Sequence, residues 1–193
     1  MFQQLFKSLL EKVNATNEEL GLIKPFFIPK KLRKKQFLLQ DGDVCKYNAF
    51  VEKGMLRSFT VDEKGNEHIV QFAFEGWWIS DLSSFLTGSV SNCNIEALED
   101  SELLLLTMQA REELMNKVPI FERYQRLLLQ NAYIALQARI ASSLTESAEE
   151  KYTKLIQLCP NIVQRLPQHM IASYLGLTPE TLSRIRKQMA LRK

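Results

Sequence analysis

Gln168-His-Met-Ile-Ala-Ser-Tyr-Leu-Gly-Leu-Thr-Pro-Glu-Thr-Leu-Ser-Arg-Ile-Arg-Lys-Gln188 is the stretch on which the reading of this chain turns. It divides into a short helix over about 168–174, a tight turn at Gly176 and a second helix that begins near Thr178. Each piece has a physical reason. Two helices that cross steeply need a small residue where they approach, and Ala172 supplies it. Gly176 lets the turn take a positive φ. Thr178 is a good N-cap, and Pro179 suits the first helical position. Thr178 and Glu180 do not make a strict capping box, which needs its acid three residues after the cap. Leu175, Leu177, Leu182 and Ile185 supply a buried face, which leaves Glu180, Thr181, Arg184 and Gln188 outward. A face of that kind can enter a DNA major groove.

Within that face Arg184 has the fork geometry for guanine O6 and N7. Glu180 can accept from a cytosine amino group or orient Arg184 one turn away. Thr178, Thr181, Arg165, Arg186 and Lys187 read as phosphate-positioning groups. Gln168, Pro179 and Gln188 complete the set expected to face DNA. The plain alternative is a helical hairpin with exposed charge. Charge distribution argues against it. From Pro160 to Lys193 the bases Arg165, Arg184, Arg186, Lys187, Arg192 and Lys193 face one acid, Glu180, giving +5 against +3 for the whole chain. A basic end on an acidic body points to a polyanion partner for that end.

Upstream, residues 119–145 keep a helical period, with Pro119 in the first turn. One apolar stripe runs Ile120, Tyr124, Leu127, Asn131, Ile134, Ala138, Ala141; a second runs Leu129, Ala132, Leu136, Ile140, Leu144. Two stripes let one helix pack on its own domain and on a second helix, so a two-stranded contact is expected, with Asn131 able to fix register. The alternative is a helix buried within one chain. Ser147-Ala-Glu-Glu150 is a capping box that opens a further helix to about Leu158, closed by Cys159-Pro160-Asn161.

From about 30 to 108 the period is two. QFLLQ, YNAFVE, MLRSFTV, EHIVQFAF and ELLLLT alternate or are rich in β-formers, and glycines at 42, 54, 65, 76 and 88 punctuate them. Such spacing predicts an antiparallel sandwich or barrel. No helices alternate with these strands, which excludes a doubly wound α/β fold. Residues 1–23 read as one helix, ended by Pro25 and Pro29. Lys30-Lys31-Leu-Arg33-Lys34-Lys35 reads as a solvated edge before the first strand; its other reading is a contact with nucleic acid or polymerase.

The 193 residues are 46% hydrophobic and 24% charged, which suits a folded chain and excludes disorder as its main state. Cys45, Cys93 and Cys159 lie far apart and form no CxxC, so a reducing compartment is expected. No apolar run approaches the roughly 18 residues of a membrane span. The N-terminus lacks a signal-peptide pattern, so the expected location is cytoplasmic. Three scattered cysteines are too few for an iron–sulfur cluster. His68 alone in a strand reads as exposed rather than as a haem ligand, and two histidines are too few for a cupin metal site. No GxSxG, P-loop or GxGxxG pattern appears, so no catalytic residue, metal or cofactor is expected and the chain is not read as an enzyme.

With these residues in place, the chain resembles the bacterial cyclic-AMP receptor protein and Fnr family of transcription regulators along nearly its whole length. LLQDGDVCKYNAFVEKGMLRSF looks like the first strands of that family's jelly roll, with Gly42-Asp43 and Gly54 at its turns, and PETLSRIRK looks like its recognition helix. The resemblance implies base contacts at Pro179, Glu180 and Arg184; Pro179 departs from it, because proline cannot replace a basic side chain. It also places an effector pocket around Trp78, Ser80, Asp81, Leu82, Ser91 and Asn92. The arginine that pairs with a cyclic phosphate in the family has no counterpart, since the gapless alignment puts Ser91-Asn92-Cys93 there while Asp81 remains. An anion site that keeps an acid and lacks its cation binds phosphate poorly, so the expected effector is not cyclic AMP. Trp77 and Trp78 read as core packing in preference to pocket walls. Only Ala-Leu-Arg-Lys follows Met189, which leaves open whether the family's β-hairpin wing is absent or truncated.

The expected fold is α+β: an N-terminal antiparallel β jelly roll with its leading helix over 1–118, a dimerisation helix over 119–145 and a helix-turn-helix domain over 146–193. The expected function is a homodimeric DNA-binding regulator that reads a pseudo-palindromic operator and answers to an unidentified small molecule, with RNA polymerase as a further partner. The competing expectation is a ligand-binding jelly-roll protein or enzyme whose C-terminal helices serve assembly.

Overall fold

The structure, a computed structural model, describes residues 1–191. Arg192 and Lys193, counted above in the basic end, lie outside the described residues.

The chain begins with two helices where one was expected. α1 (Gln3–Leu10) and α2 (Asn17–Ile23) are separated by a bend, because Thr16 and Glu19 form a reciprocal cap. Glu19 N donates to Thr16 Oγ1 at 3.2 Å and Thr16 N to Glu19 Oε2 at 2.8 Å. The cap satisfies donors that a continuous helix would have spent on carbonyls. At the other end of α1, Leu5 N donates to the buried Glu52 carboxylate at 2.8 Å, which ties the helix to the strand that carries Glu52.

The β region is built from β1 (Ile28–Leu32), β2 (Phe37–Leu39), β3 (Tyr47–Lys53), β4 (Leu56–Val61), β5 (Glu67–Ala73), β6 (Trp78–Ile79), β7 (Asn94–Ala97) and β8 (Ser101–Thr107). They form two antiparallel sheets in the orders β1-β8-β3-β6 and β2-β7-β4-β5, with α3 (Leu82–Thr87) between β6 and β7. The jelly roll closes around Val51, Leu56, Ile95, Leu103 and Leu105, all nearly fully buried. Each such leucine or isoleucine contributes about 1.5–3 kcal/mol by burial. The β3–β4 turn admits only glycine at Gly54: its φ is +90°, and a Cβ there would stand 2.4 Å from Ser101 Oγ. Lys30, Lys31 and Leu32, expected ahead of the first strand, instead belong to β1, which pairs with β8. β1 is a sheet edge, and an edge tolerates Pro29.

Thr107 caps α4 (Met108–Lys117), an element with no strong apolar period in the sequence, and α5 (Pro119–Thr145) follows. The root of α5 is anchored: Phe121 and Tyr124 are fully buried against α1, Phe27 and Phe50. From Leu129 to Ala141 every residue of α5 is exposed, including Ile134 at 62% and Ile140 at 54%. α6 (Ala148–Leu158) starts at the expected capping box, with Glu150 N donating to Ser147 Oγ. α7 (Ile162–Arg165), α8 (Gln168–Leu175) and α9 (Pro179–Leu191) complete the described chain. These helices close over the outer face of the β2-β7-β4-β5 sheet, where Met55, Phe59, Ile69 and Phe72 share one core with Tyr152, Ile171 and Leu182.

Candidate nucleic-acid interface

The turn between α8 and α9 is held by local chemistry. Gly176 has φ +69°, its N–H reaches Ser173 O at 3.1 Å, and Leu177 N reaches Ala172 O at 2.9 Å. Thr178 Oγ1 then accepts from Thr181 N at 3.2 Å and caps α9. Ala172 and Leu182 are fully buried and Ile185 nearly so, which sets the roll of α9 about its axis. Glu180, Arg184, Lys187 and Gln188 are therefore exposed, and Pro179, Glu180, Ser183, Arg184 and Lys187 line one open hollow. Arg184 and Lys187 make no hydrogen bond or ion pair with the described residues. That leaves two cationic groups on an exposed helix face that no ion pair among the described residues neutralises.

The remaining residues of the expected DNA-facing set divide. Thr181 and Gln168 are half-buried. Gln168 Nε2 donates to Pro179 O at 3.1 Å, and its Oε1 accepts from Arg186 Nη1 at 3.2 Å. Gln168 and Arg186 thus brace α8 against α9 from within the motif. Arg165, read above as a phosphate contact, is turned the other way. Its guanidinium makes four hydrogen bonds to Glu99 and Glu75 of the jelly roll. Glu99 first and Glu75 second hold it well above the ordinary arginine range. Burial pushes the Glu75 carboxyl up, but the hydrogen bonds from Arg165 and from backbone outweigh it and leave Glu75 below its usual value. The signal that would have flagged Arg165 lies 90 and 66 residues away in sequence.

The expected effector pocket holds a surprise at its acid. Ser91 Oγ donates to Asp81 Oδ2 at 2.7 Å, while Asp81 Oδ1 caps α3 by accepting from Ser84 N at 3.1 Å. Ser91 thus supplies a hydroxyl donor, and the Asp81 carboxylate is satisfied by Ser91 and Ser84. Ser84, which sequence reasoning passed over, ties the loop before β3 to α3: its Oγ accepts from Cys45 N at 2.9 Å and donates to Ser89 O at 2.6 Å. Trp78 is placed elsewhere. Its ring sits 5.3 Å from Phe50, and its Nε1 donates to Tyr124 OH at 3.2 Å, so it packs at the root of α5. Ser80 is half-buried, and Leu82 and Asn92 face outward. Burial pushes the Cys45 and Cys159 thiols up, which keeps both protonated. Among the described residues no cluster of His, Cys, Asp or Glu has the makings of a metal site.

Comparison with known proteins agrees with this geometry. The cyclic nucleotide-binding domain family matches residues 29–118, a span that ends one residue before α5. The fumarate and nitrate reduction regulatory protein of Vibrio cholerae is 28% identical over 169 residues, covering 81% of this chain and 66% of that protein. The regulatory protein HlyX of Actinobacillus pleuropneumoniae is 28% identical over 174 residues, covering 81% and 69%. The structure of FixK2 from Bradyrhizobium japonicum superposes with a TM-score of 0.71 at 20% identity, over 86% of this chain and 85% of that one. The chain is thus similar to Fnr-type regulatory proteins in sequence and to FixK2 in fold, with a cyclic nucleotide-binding domain match over residues 29–118. It spans just under two thirds of the Vibrio cholerae relative's length. Its described residues combine a two-sheet roll with the α8–turn–α9 pair. No helix among the described residues is long and apolar enough to cross a membrane.

Proposed function

We propose that this chain is a homodimeric, cytoplasmic, DNA-binding transcription regulator of the Crp/Fnr kind. The observation that carries the reading is the exposed α9 face, on which Glu180, Arg184, Lys187 and Gln188 stand free over a buried Leu182–Ile185 side. Arg184 reads guanine, Glu180 reads cytosine or orients Arg184, and Lys187 and the Thr178 cap meet phosphates.

The dimer forms along α5. Its exposed Leu129, Ile134, Leu136, Ile140 and Leu144 have no cover in one chain, and a second α5 supplies it. In this reading residues 1–118 are the sensor, 119–145 the dimer helix and 146–193 the reader. The two copies of α9 then stand about 34 Å apart, one turn of DNA, and the operator is pseudo-palindromic. The effector is a ligand other than cyclic AMP. Asp81 already has its donors in Ser84 and Ser91, and no arginine stands at position 91 to pair with a cyclic phosphate.

Selection from a random duplex pool, without added ligand, tests the reading. Wild type is expected to enrich an inverted repeat, and Arg184→Ala to lose preference at one base of each half-site. Equal enrichment by both proteins would sink the recognition-helix assignment.

A further inference from the structure

Arg165 lies at the end of α7, with two residues, Leu166 and Pro167, between it and α8. Its Nε and Nη2 donate to the two oxygens of Glu99 at 2.9 and 2.7 Å, and its Nη1 and Nη2 donate to the two oxygens of Glu75 at 2.9 and 3.0 Å. Both carboxylates belong to the jelly roll: Glu75 sits in the turn from β5 to β6, and Glu99 in the turn from β7 to β8. Glu75 Oε1 also accepts from Gly54 N at 3.0 Å, so the β3–β4 turn holds that carboxylate in place. A planar guanidinium bonded through its fork to two carboxylates, one of them held by the β3–β4 turn, has a defined direction as well as a defined charge.

A second strut runs alongside. β5 is the free edge of its sheet, and Ser173 of α8 pairs with that edge: its Oγ accepts from Ile69 N at 3.0 Å and donates to Glu67 O at 2.9 Å. Arg139 of α5 donates to Tyr174 O at 3.2 Å and to Val70 O on the same edge. The apolar core between roll and helices already supplies cohesion. A part-exposed ion cluster adds little of that, and apolar side chains of equal size would serve cohesion as well or better. What the cluster adds is orientation, and α9 follows α8 rigidly through the braced motif turn.

We propose that Arg165, Glu75 and Glu99 form a latch that fixes the angle at which the recognition helix is presented, and through it the operator spacing the dimer accepts. Arg165 is then a positioning residue for DNA reading and touches no DNA itself. The spacing half rests on the dimeric reading above; the latch half stands without it. Glu75 is also joined through Gly76 and Trp77 to β6 and the Asp81 region, so a shift in that turn pulls directly on α8.

The test uses the full chain as wild type, Arg165→Ala, and the isosteric pair Glu75→Gln with Glu99→Gln. Hydrogen exchange is read at 67–73, where the Ile69 amide is protected by Ser173, and at 103–106 in the roll. DNA selection is read across inverted repeats of varied spacing and on a single half-site. Both variants are expected to exchange at least about fivefold faster at 67–73 with 103–106 unchanged. They are also expected to accept a broader range of spacings at unchanged half-site affinity. Unchanged exchange at 67–73 in both variants overturns the latch, as does loss of protection at 103–106 in both, which would mark a role in folding. Faster exchange with an unchanged spacing preference overturns the spacing claim. Faster exchange with no DNA selected even by wild type removes the dimeric reading and leaves the latch standing.

Discussion

Arg165 and Arg184 belong to the same basic stretch and have the same side chain, yet the fold uses them in opposite ways. Arg184 stands on the exposed side of α9 with no partner among the described residues. Arg165, one short helix earlier, is consumed by four hydrogen bonds to the jelly roll. The difference comes from what each helix packs on. α9 turns Leu182 and Ile185 inward, so its cations face outward. α7 buries Ile162 and is followed by buried Leu166, which brings Arg165 over two acidic turns of the sheet. A charge that is neutralised inside the molecule positions a domain; one that is left free is available to a polyanion. Net charge does not distinguish the two.

The largest effect expected from breaking this arrangement is in the support beneath Arg184. Leu182→Ala removes a fully buried side chain from the core shared by α9 and the roll. It should cost about 2–5 kcal/mol of stability, read by denaturant unfolding. DNA binding should fall with it, because the outward face loses its seat. If stability fell and sequence-selective binding stayed intact, α9 would not be the reader.

Arg184→Ala comes next. It should leave the unfolding midpoint unchanged, since Arg184 has no partner among the described residues, and cost about 1–3 kcal/mol of affinity at one base position. Titration against operator duplexes substituted base by base would measure it. A change in the midpoint would mean that Arg184, like Arg165, is spent within the chain.

Acid provides a milder probe of the paired side. Glu75 is lowered in the fold, so its stabilising contribution is present above the unfolded carboxylate value of about 4.3 and is lost as pH falls through the folded value. Docking of the C-terminal helices should therefore loosen on acidification. Exchange at 67–73, followed as a function of pH, should show this in wild type and lose the Glu75-dependent part in Glu75→Gln. An identical profile in the two proteins would remove Glu75 from the account.

What could be read in the sequence follows the range of the interactions. Gly176, the Thr178 cap and the Leu182–Ile185 pair act within one turn of their own helices, and their pattern of size and polarity is visible locally. The same holds for the Ser147–Glu150 box. The Thr16–Glu19 box is as local, but the apolar stripe of Leu5, Leu9 and Val13 runs up to it and hides the break. Lys30 and Lys31 look like solvated charge because an edge strand exposes them while its backbone pairs with β8. Charge marks Arg165 in the sequence, and the family resemblance marks Asp81, but neither shows a partner. Their partners, Glu75, Glu99 and Ser91, are set by sheet topology, and only the fold brings them within reach. The resemblance sets Ser91-Asn92-Cys93 where an arginine is expected, so the missing cation is legible in the sequence; that Ser91 donates to Asp81 is not.

The smallest effect is also the one that separates the two arginines most cleanly. Lys187 is exposed on α9 without a partner among the described residues, and if it meets a phosphate it contributes nothing to base choice. Lys187→Ala should weaken binding to all sequences alike and reduce the steepness of the log affinity against log salt plot by about one. Arg165→Ala removes the same formal charge from the same basic stretch. Because that charge is already paired with Glu75 and Glu99, no counterion release depends on it, and the salt slope on a single half-site should stay where it is. Measuring both slopes side by side asks whether charge or its internal pairing decides what this segment does. Equal losses of slope would mean that Arg165 leaves its carboxylates to meet DNA; a loss confined to Lys187 means that pairing inside the fold has taken Arg165 out of the interface.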